Sequence, residues 1–453
     1  MPKDAGSGKN SVSPARRAAF DILRRVDSEG AYASPLIAAL AESTLSREDR
    51  ALAQEIVLGS LRWQRSLDYF IERYSRRPLR RIDLPVLIAL RIGLYQLRHL
   101  TRIPQSAAVN ESVNLVKKAR HHSASGLVNA VLRQAARHRD EKPGQSIEDP
   151  LEKRSVELSH PRWMIERWTA WLGPEEANAL ALANNQTPPL AFRANTLRAS
   201  ENEALAWLES RGVLARASQF VRGAFTLERG PAAVCIDAAA QGLIYIQDEA
   251  SQLVSLLADV KSGHRILDLC AAPGSKSSHM AALTSNSSWI VACDIHPHRL
   301  AALVASCRRL GAHAVDAVAL DADRELPMNE RAMNFDRVLV DAPCSGTGTL
   351  RRNPEIKWRL AAEDPKRLAA LQLGLISRAA LAVAKGGRLI YSTCSIEMEE
   401  NEEVIFAFLS GGATFRLIEP DAHPRLITGE GFVRTFPHRH AMDGFFAAVL
   451  EKT

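Results

Sequence analysis

Residues 264–279, HRILDLCAAPGSKSSH, read as an apolar strand that ends in small residues and turns at once into a helix. The same grammar repeats downstream: WIVACD (289–294), AVDAVALD (314–321), DRVLVDAPC (336–344) and GRLIYSTC (387–394) are apolar runs alternating with helical patterns, and GFFAAVLEK (444–452) closes the series. Apolar strands separated by helices predict a mostly parallel sheet covered on both faces, with any ligand held beyond the carboxyl ends of the strands. This α/β domain is expected to span 248–453.

Upstream the pattern differs. Residues 1–140 read as helices throughout: in ARRAAFDILRRV the apolar Ala19, Ile22, Leu23 and Val26 recur at helical spacing. Ser46 and Asp49 form a capping-box-like start to one long helix running towards Tyr74. A polar stretch, DEKPGQSIED, predicts a linker over 141–159. From 160 to 247, a helix in SHPRWMIERWTAWLG, a strand after PPLAFRANT, a helix at ENEALAWLESRG and short strands near Phe225–Leu227 and Gly242–Ile246 predict a small α+β subdomain.

The chain has 453 residues, 46% hydrophobic and 24% charged, as expected of a globular protein with several cores. Its most apolar run, LPVLIALRIGLYQL, is broken by Arg91 well short of a membrane span, and MPKDAGSGKNSVSPARR lacks the apolar stretch of a signal peptide. A cytoplasmic protein without a membrane partner is expected. Six cysteines with no CxxC pair fit neither a disulfide framework nor a zinc ribbon, and His296 and His298 are too isolated for a metal site. Residues 1–140 hold 24 Lys and Arg against 13 Asp and Glu, whereas the remainder holds 34 against 38, so the net charge of +7 belongs to the N-terminal third. That asymmetry suits a polyanion-binding module joined to an enzyme.

The loop Cys270, Ala271, Ala272, Pro273, Gly274, Ser275, Lys276 lets a ligand approach backbone closely and presents a helix N-terminus to it. It is not a phosphate loop, because Ser275 separates Gly274 from Lys276. Asp294 ends the next strand, where a carboxylate can accept hydrogen bonds from ribose hydroxyls. Asp321 and Asp341 end the following two. A sulfonium ligand with an adenosine tail would suit this carboxylate-lined edge.

Cys344, in DAPCSGTGTLRRNPEIKW, and Cys394, in YSTCSIEMEENE, each follow a strand, so both thiols are expected at the same sheet edge. Carbon 5 of a cytosine is a poor nucleophile until a thiolate adds at carbon 6, while a carboxyl group at nitrogen 3 accommodates the developing charge. Arg351, Arg352, Lys357 and Arg359, with Trp358 among them, fit phosphate contact and base stacking.

Together these motifs resemble the Sun/Nop2 family of RNA cytosine-carbon-5 methyltransferases over nearly the whole chain. The resemblance implies a Rossmann-like methyltransferase domain that binds S-adenosyl-L-methionine at residues 270–276, Asp294, Asp321 and Asp341, with Asp341 reaching the target base. It also implies Cys394 as nucleophile and Cys344 as the residue that assists product release. The segments ARRAAFDIL, AAVNESVNLVKKA and SGLVNAVLRQ are similar to the all-α NusB-like RNA-binding domain, and 160–247 to the family's RNA-recognition-like insert, with Arg193 and Asn195 as RNA contacts. The implied substrate is 16S ribosomal RNA or one of its assembly intermediates, met by a monomer. Ser275 departs from the glycine of many members. A DNA cytosine methyltransferase, with Cys344 as nucleophile, and a non-catalytic RNA-binding ribosome-assembly factor remain the alternatives.

Overall fold

A computed structural model describes residues 12–322, 324 and 334–453. The first eleven residues and part of the loop expected after Asp321 lie outside the described residues. The chain divides into two compact units: residues up to Thr187 together with Leu350–Leu360, and Pro188–Thr349 together with Ala361–Thr453.

The first unit is helical. Pro14–Glu29, Arg47–Arg62, Gln64–Ser75, Leu84–His99, Gln105–Lys118 and Ser125–Arg137 pack around Leu84–His99, whose residues Val86–Leu97 are all buried. That burial explains why the run is apolar on every side rather than on one stripe. Arg91 sits inside it, paired through both guanidinium edges with Asp68 at 2.8 and 2.9 Å and with Asp27 at 3.1 Å. Burial opposes its charge, but Asp68 and Asp27 outweigh burial and push its pKa up. The single helix expected from Ser46 to Tyr74 is two helices: Ser46 Oγ accepts from Asp49 N–H as a cap, and the helix breaks at Trp63.

Within the expected linker over 141–159 lies one short helix. Asp149 caps Pro150–Glu157 through the N–H groups of Leu151 and Glu152, and Ser155 and Val156 are buried. With Arg162–Leu172 and Pro174–Asn184 this helix belongs to the helical unit, so the division falls at Thr187. Composition signalled a linker because the polar residues there are caps and surface positions flanking a short buried stripe.

The eleven-residue excursion of Leu350–Leu360 completes the same unit. Trp358 Nε1 donates to Leu61 O at 2.7 Å, and Ala33 N–H donates to Glu355 Oε1 at 2.8 Å. Lys357 is fully buried, and its Nζ donates to Arg62 O, Ser159 O and Asn185 Oδ1 at 3.1, 3.0 and 2.8 Å.

The second unit holds two sheets. Strands β1 (Ala191–Ala194), β2 (Leu214–Ala217), β3 (Ala224–Arg229) and β4 (Ile244–Ile246) form an antiparallel sheet in the order β2-β3-β1-β4. Helices Glu201–Glu209, started by a Ser200–Glu203 capping box, and Ala232–Ala240 provide the crossovers. The larger sheet contains β5 (Arg265–Asp268), β6 (Trp289–Asp294), β7 (Val315–Ala319), β8 (Phe335–Asp341), β9 (Val383–Thr393), β10 (Phe415–Leu417), β11 (Val433–Thr435) and β12 (Phe445–Lys452). Its order is β10-β12-β9-β8-β5-β6-β7, with β11 paired to β12. β5 to β9 run parallel and β12 antiparallel, as in a Rossmann-like methyltransferase domain. Connections leave β5 in both directions, which opens a crevice at the carboxyl ends of β5 and β8.

Candidate active site

The crevice is a cavity of ≈ 310 Å³ whose walls include Cys270, Ala272, Asp294, Asp321, Asp341, Cys344 and Cys394. The carboxylates and thiols expected from separate motifs thus share one space. Each arrives there by the same route, as the last residue of a parallel strand or the first residues beyond it.

Gly274 turns the 270–276 loop into the helix Ser275–Leu283 at φ +96°, a conformation that L side chains rarely adopt, and a Cβ there would lie 2.8 Å from Leu303 Cγ. Its N–H closes the turn on Ala271 O at 2.7 Å. Ala271 and Ala272 are buried, and Arg299 braces the loop by donating to Ala272 O at 3.0 Å. Arg299 also approaches Asp294 at 3.3 Å, whose other oxygen accepts from His296 N–H at 3.0 Å. Asp321 lies 3.2 Å from Arg324. A tight backbone turn, small side chains and carboxylates at two successive strand ends fit an adenosine-bearing sulfonium, whose hydroxyls and positive sulfur both seek acceptors. Ser275 begins the helix without disturbing the turn.

Lys276 leaves the loop for the catalytic side. Its Nζ lies 2.6 Å from Asp341 Oδ2 and 3.3 Å from Ser251 Oγ, while Ser392 Oγ donates to Asp341 Oδ1 at 2.8 Å. Burial would lower the Lys276 pKa, but Asp341 outweighs it and the pKa is raised. Asp268, beneath the loop, accepts from Ser277 Oγ at 2.6 Å, and burial pushes its pKa up to about 7.

Cys344 and Cys394 face each other with Sγ atoms 3.3 Å apart. The contact with Cys394, followed by burial, holds the Cys344 pKa well above its ordinary value. Burial likewise raises the thiols of Cys235, Cys270, Cys293 and Cys307, which suits inert cysteines. Beside the two facing thiols lie residues the motifs did not single out: Ser345, Ser395, Gln372 and Glu400, which are buried and hydrogen-bonded to one another. Glu400 stands within the quoted YSTCSIEMEENE, yet a glutamate in an acidic run carries no sign of burial.

Of the five residues expected to meet RNA, four are buried. Arg193 and Asn195 are buried: Arg193 donates to Gln247 Oε1 and Ser278 Oγ at 3.2 and 3.1 Å, and Asn195 Nδ2 to Gly242 O and Leu310 O at 2.8 Å each. Lys357 and Arg351 are buried too, and Arg352 is half-buried. Desolvating an Arg or Lys without acceptors is costly, and Arg193 and Lys357 are accompanied inward by carbonyl, amide and hydroxyl oxygens that sequence does not reveal.

Comparisons with known proteins agree with this architecture. The family model "16S rRNA methyltransferase RsmB/F" matches residues 255–451, that of the NusB family matches 13–137, and a RsmF/B-like ferredoxin-like domain matches 160–234. The chain is similar to a probable ribosomal RNA small subunit methyltransferase B of Bacillus subtilis, 34% identical over 449 residues that cover 96% of this chain and 98% of the relative. It is also similar to a ribosomal RNA small subunit methyltransferase B of Pseudomonas putida, 36% identical over 415 residues, 90% of this chain and 92% of that one. Among solved structures, PH0851 superposes with a TM-score of 0.82 at 28% identity, covering 98% of this chain and all of that one. A methyltransferase homolog protein from Pyrococcus horikoshii gives 0.59 at 28%, covering 68% of this chain and all of that one. With a carboxylate-lined cofactor crevice, a NusB domain and near full-length kinship, this chain belongs to the ribosomal RNA small subunit methyltransferase B family of S-adenosylmethionine-dependent rRNA methyltransferases.

Proposed function

We propose that the reaction is methylation of carbon 5 of a cytosine in 16S ribosomal RNA, through a covalent bond between Cys394 and carbon 6 of that base. The observation that carries this reading is the pair of thiols 3.3 Å apart on the wall of a cavity that also holds Asp341. S-adenosylmethionine, when bound, supplies an electrophilic methyl group on a sulfonium. The Cys394 thiolate adds to carbon 6, and the displaced ring electrons make carbon 5 nucleophilic. Asp341, oriented by Lys276 and Ser392, faces ring nitrogen 3, and a proton relayed from Lys276 through the Asp341 carboxyl group to that nitrogen neutralises the negative charge that develops there. After methyl transfer a base removes the carbon-5 proton, and the electrons of that bond expel Cys394. The Cys344 thiol, kept protonated by its raised pKa, donates to the departing sulfur.

The basic N-terminal third supports substrate binding through phosphates. A reduced pair of thiols suits action in the cytoplasm. The test is a denaturing gel of a covalent protein–RNA adduct with 16S transcript and S-adenosylmethionine. Adduct accumulating only in Cys344→Ala supports the assignment. Adduct lost in Cys344→Ala and kept in Cys394→Ala reverses the thiols, as in the DNA-enzyme alternative, and tight RNA binding with no adduct in any variant favours a non-catalytic assembly factor.

A further inference from the structure

We propose that Glu400 is a positioning residue whose buried carboxylate ties the Cys344 loop to the Cys394 loop and sets the separation of the two thiols. The role rests on the reading above only in that both thiols serve one base.

Glu400 has no exposed surface, and its carboxylate meets four donors, none of them a cation. Oε1 accepts from Ser345 N–H at 2.8 Å and from Gln372 Nε2 at 3.0 Å. Oε2 accepts from the hydroxyls of both Ser345 and Ser395. Ser345 follows Cys344 and Ser395 follows Cys394, so one side chain grips the residue next to each thiol. Because both hydroxyl protons point at Oε2, Ser395 Oγ is left as an acceptor. It takes the N–H of Glu397 at 3.1 Å and lies 3.2 Å from the Thr347 hydroxyl. Gln372 extends the grip by donating to Pro343 O at 2.9 Å, and Gly348 N–H donates to Cys394 O at 3.0 Å. Burying this carboxyl group, which raises its pKa, is expensive unless several hydrogen bonds repay it, and here three of the four donors belong to the two thiol loops while the fourth, Gln372, also binds Pro343 O. Simple packing could be met by an apolar side chain; this arrangement requires an acceptor.

The experiment uses the full chain and measures the thiol separation directly. Diamide takes up two electrons and two protons as Cys344 and Cys394 become one disulfide, and mass spectrometry follows the rate without RNA. In Glu400→Ala the oxidation rate is expected to fall about tenfold, and kcat for 16S transcript about a hundredfold, since a displacement near 1 Å at reacting groups costs that much. KM for RNA and calorimetric affinity for S-adenosylmethionine are expected to stay within about threefold, because neither crevice wall carries Glu400. Glu400→Gln, which keeps one acceptor oxygen, is expected to recover part of both rates, and it decides the matter should Glu400→Ala fail to fold. Wild-type oxidation and kcat in either folded variant would overturn the proposal, as would a loss of kcat accompanied by an equal loss of cofactor affinity. Slowed disulfide formation in Glu400→Ala, together with undiminished RNA methylation by a separate Cys394→Ala variant, would instead refute the two-thiol mechanism and leave the clamp standing.

Discussion

Lys357→Met separates two physical roles for a lysine that the sequence places among candidate RNA contacts. The substitution keeps most of the buried stem and deletes the ammonium, which donates to Arg62 O, Ser159 O and Asn185 Oδ1. Three lost bonds at a net of about 1 kcal/mol each predict a destabilisation of about 3 kcal/mol. For a unit of this size that lowers Tm by roughly 6–12 °C. A phosphate contact would behave differently: its removal leaves Tm alone and reduces the slope of log affinity against log salt by about 0.7–0.9. Calorimetry supplies the first quantity, and filter binding of 16S transcript at about 50 to 200 mM salt supplies the second. An unchanged Tm with a reduced salt slope would refute the buried role.

Two further outcomes concern the cofactor side. Asp268→Asn removes a carboxyl group whose folded pKa of about 7 stands above its ordinary 3.8, so in the wild type folding favours the neutral acid. That cost is absent below the ordinary pKa, grows as pH rises and is complete above the folded one; urea unfolding should therefore show the stability of the variant relative to wild type improving by about 2 kcal/mol between about pH 5.5 and 8. A gap independent of pH would count against a protonated Asp268. Gly274→Ala puts a Cβ 2.8 Å from Leu303 Cγ in a left-handed turn. Calorimetry should show S-adenosylmethionine affinity falling about tenfold, the equivalent of about 1.4 kcal/mol of backbone strain, and undiminished binding would show that the loop relaxes freely.

The doubly wound sheet was legible because the centres of β5, β6 and β8 are buried on both faces and so read as short apolar runs, each ending in an aspartate. Asp294, Asp341, Cys344 and Cys394 could be gathered at one edge on that basis alone. Arg193 and Lys357 could not be read in the same way: a cation in a motif carries no mark of the oxygens that surround it, and those of Lys357 come from residues 62, 159 and 185. Trp63 shows the limit at short range, since the helical periodicity continues through the break from Arg62 to Gln64. The pairing of Glu400 with two serine hydroxyls depends on the register of β8 against β9, where Asp341 aligns with Ser392, and no local pattern encodes that alignment.

The excursion of Leu350–Leu360 also imposes a timetable on synthesis. Residues up to Thr187 emerge roughly 160 residues before the segment that completes their unit, which at about 5–20 residues per second is a wait of roughly 10–30 s. Throughout that interval the carbonyls of Leu61, Arg62 and Ser159 are without Trp358 and Lys357, which reach them only when the later half of the chain arrives. A gene divided at codon 187 would therefore yield an N-terminal product missing its own last piece and a C-terminal product carrying it.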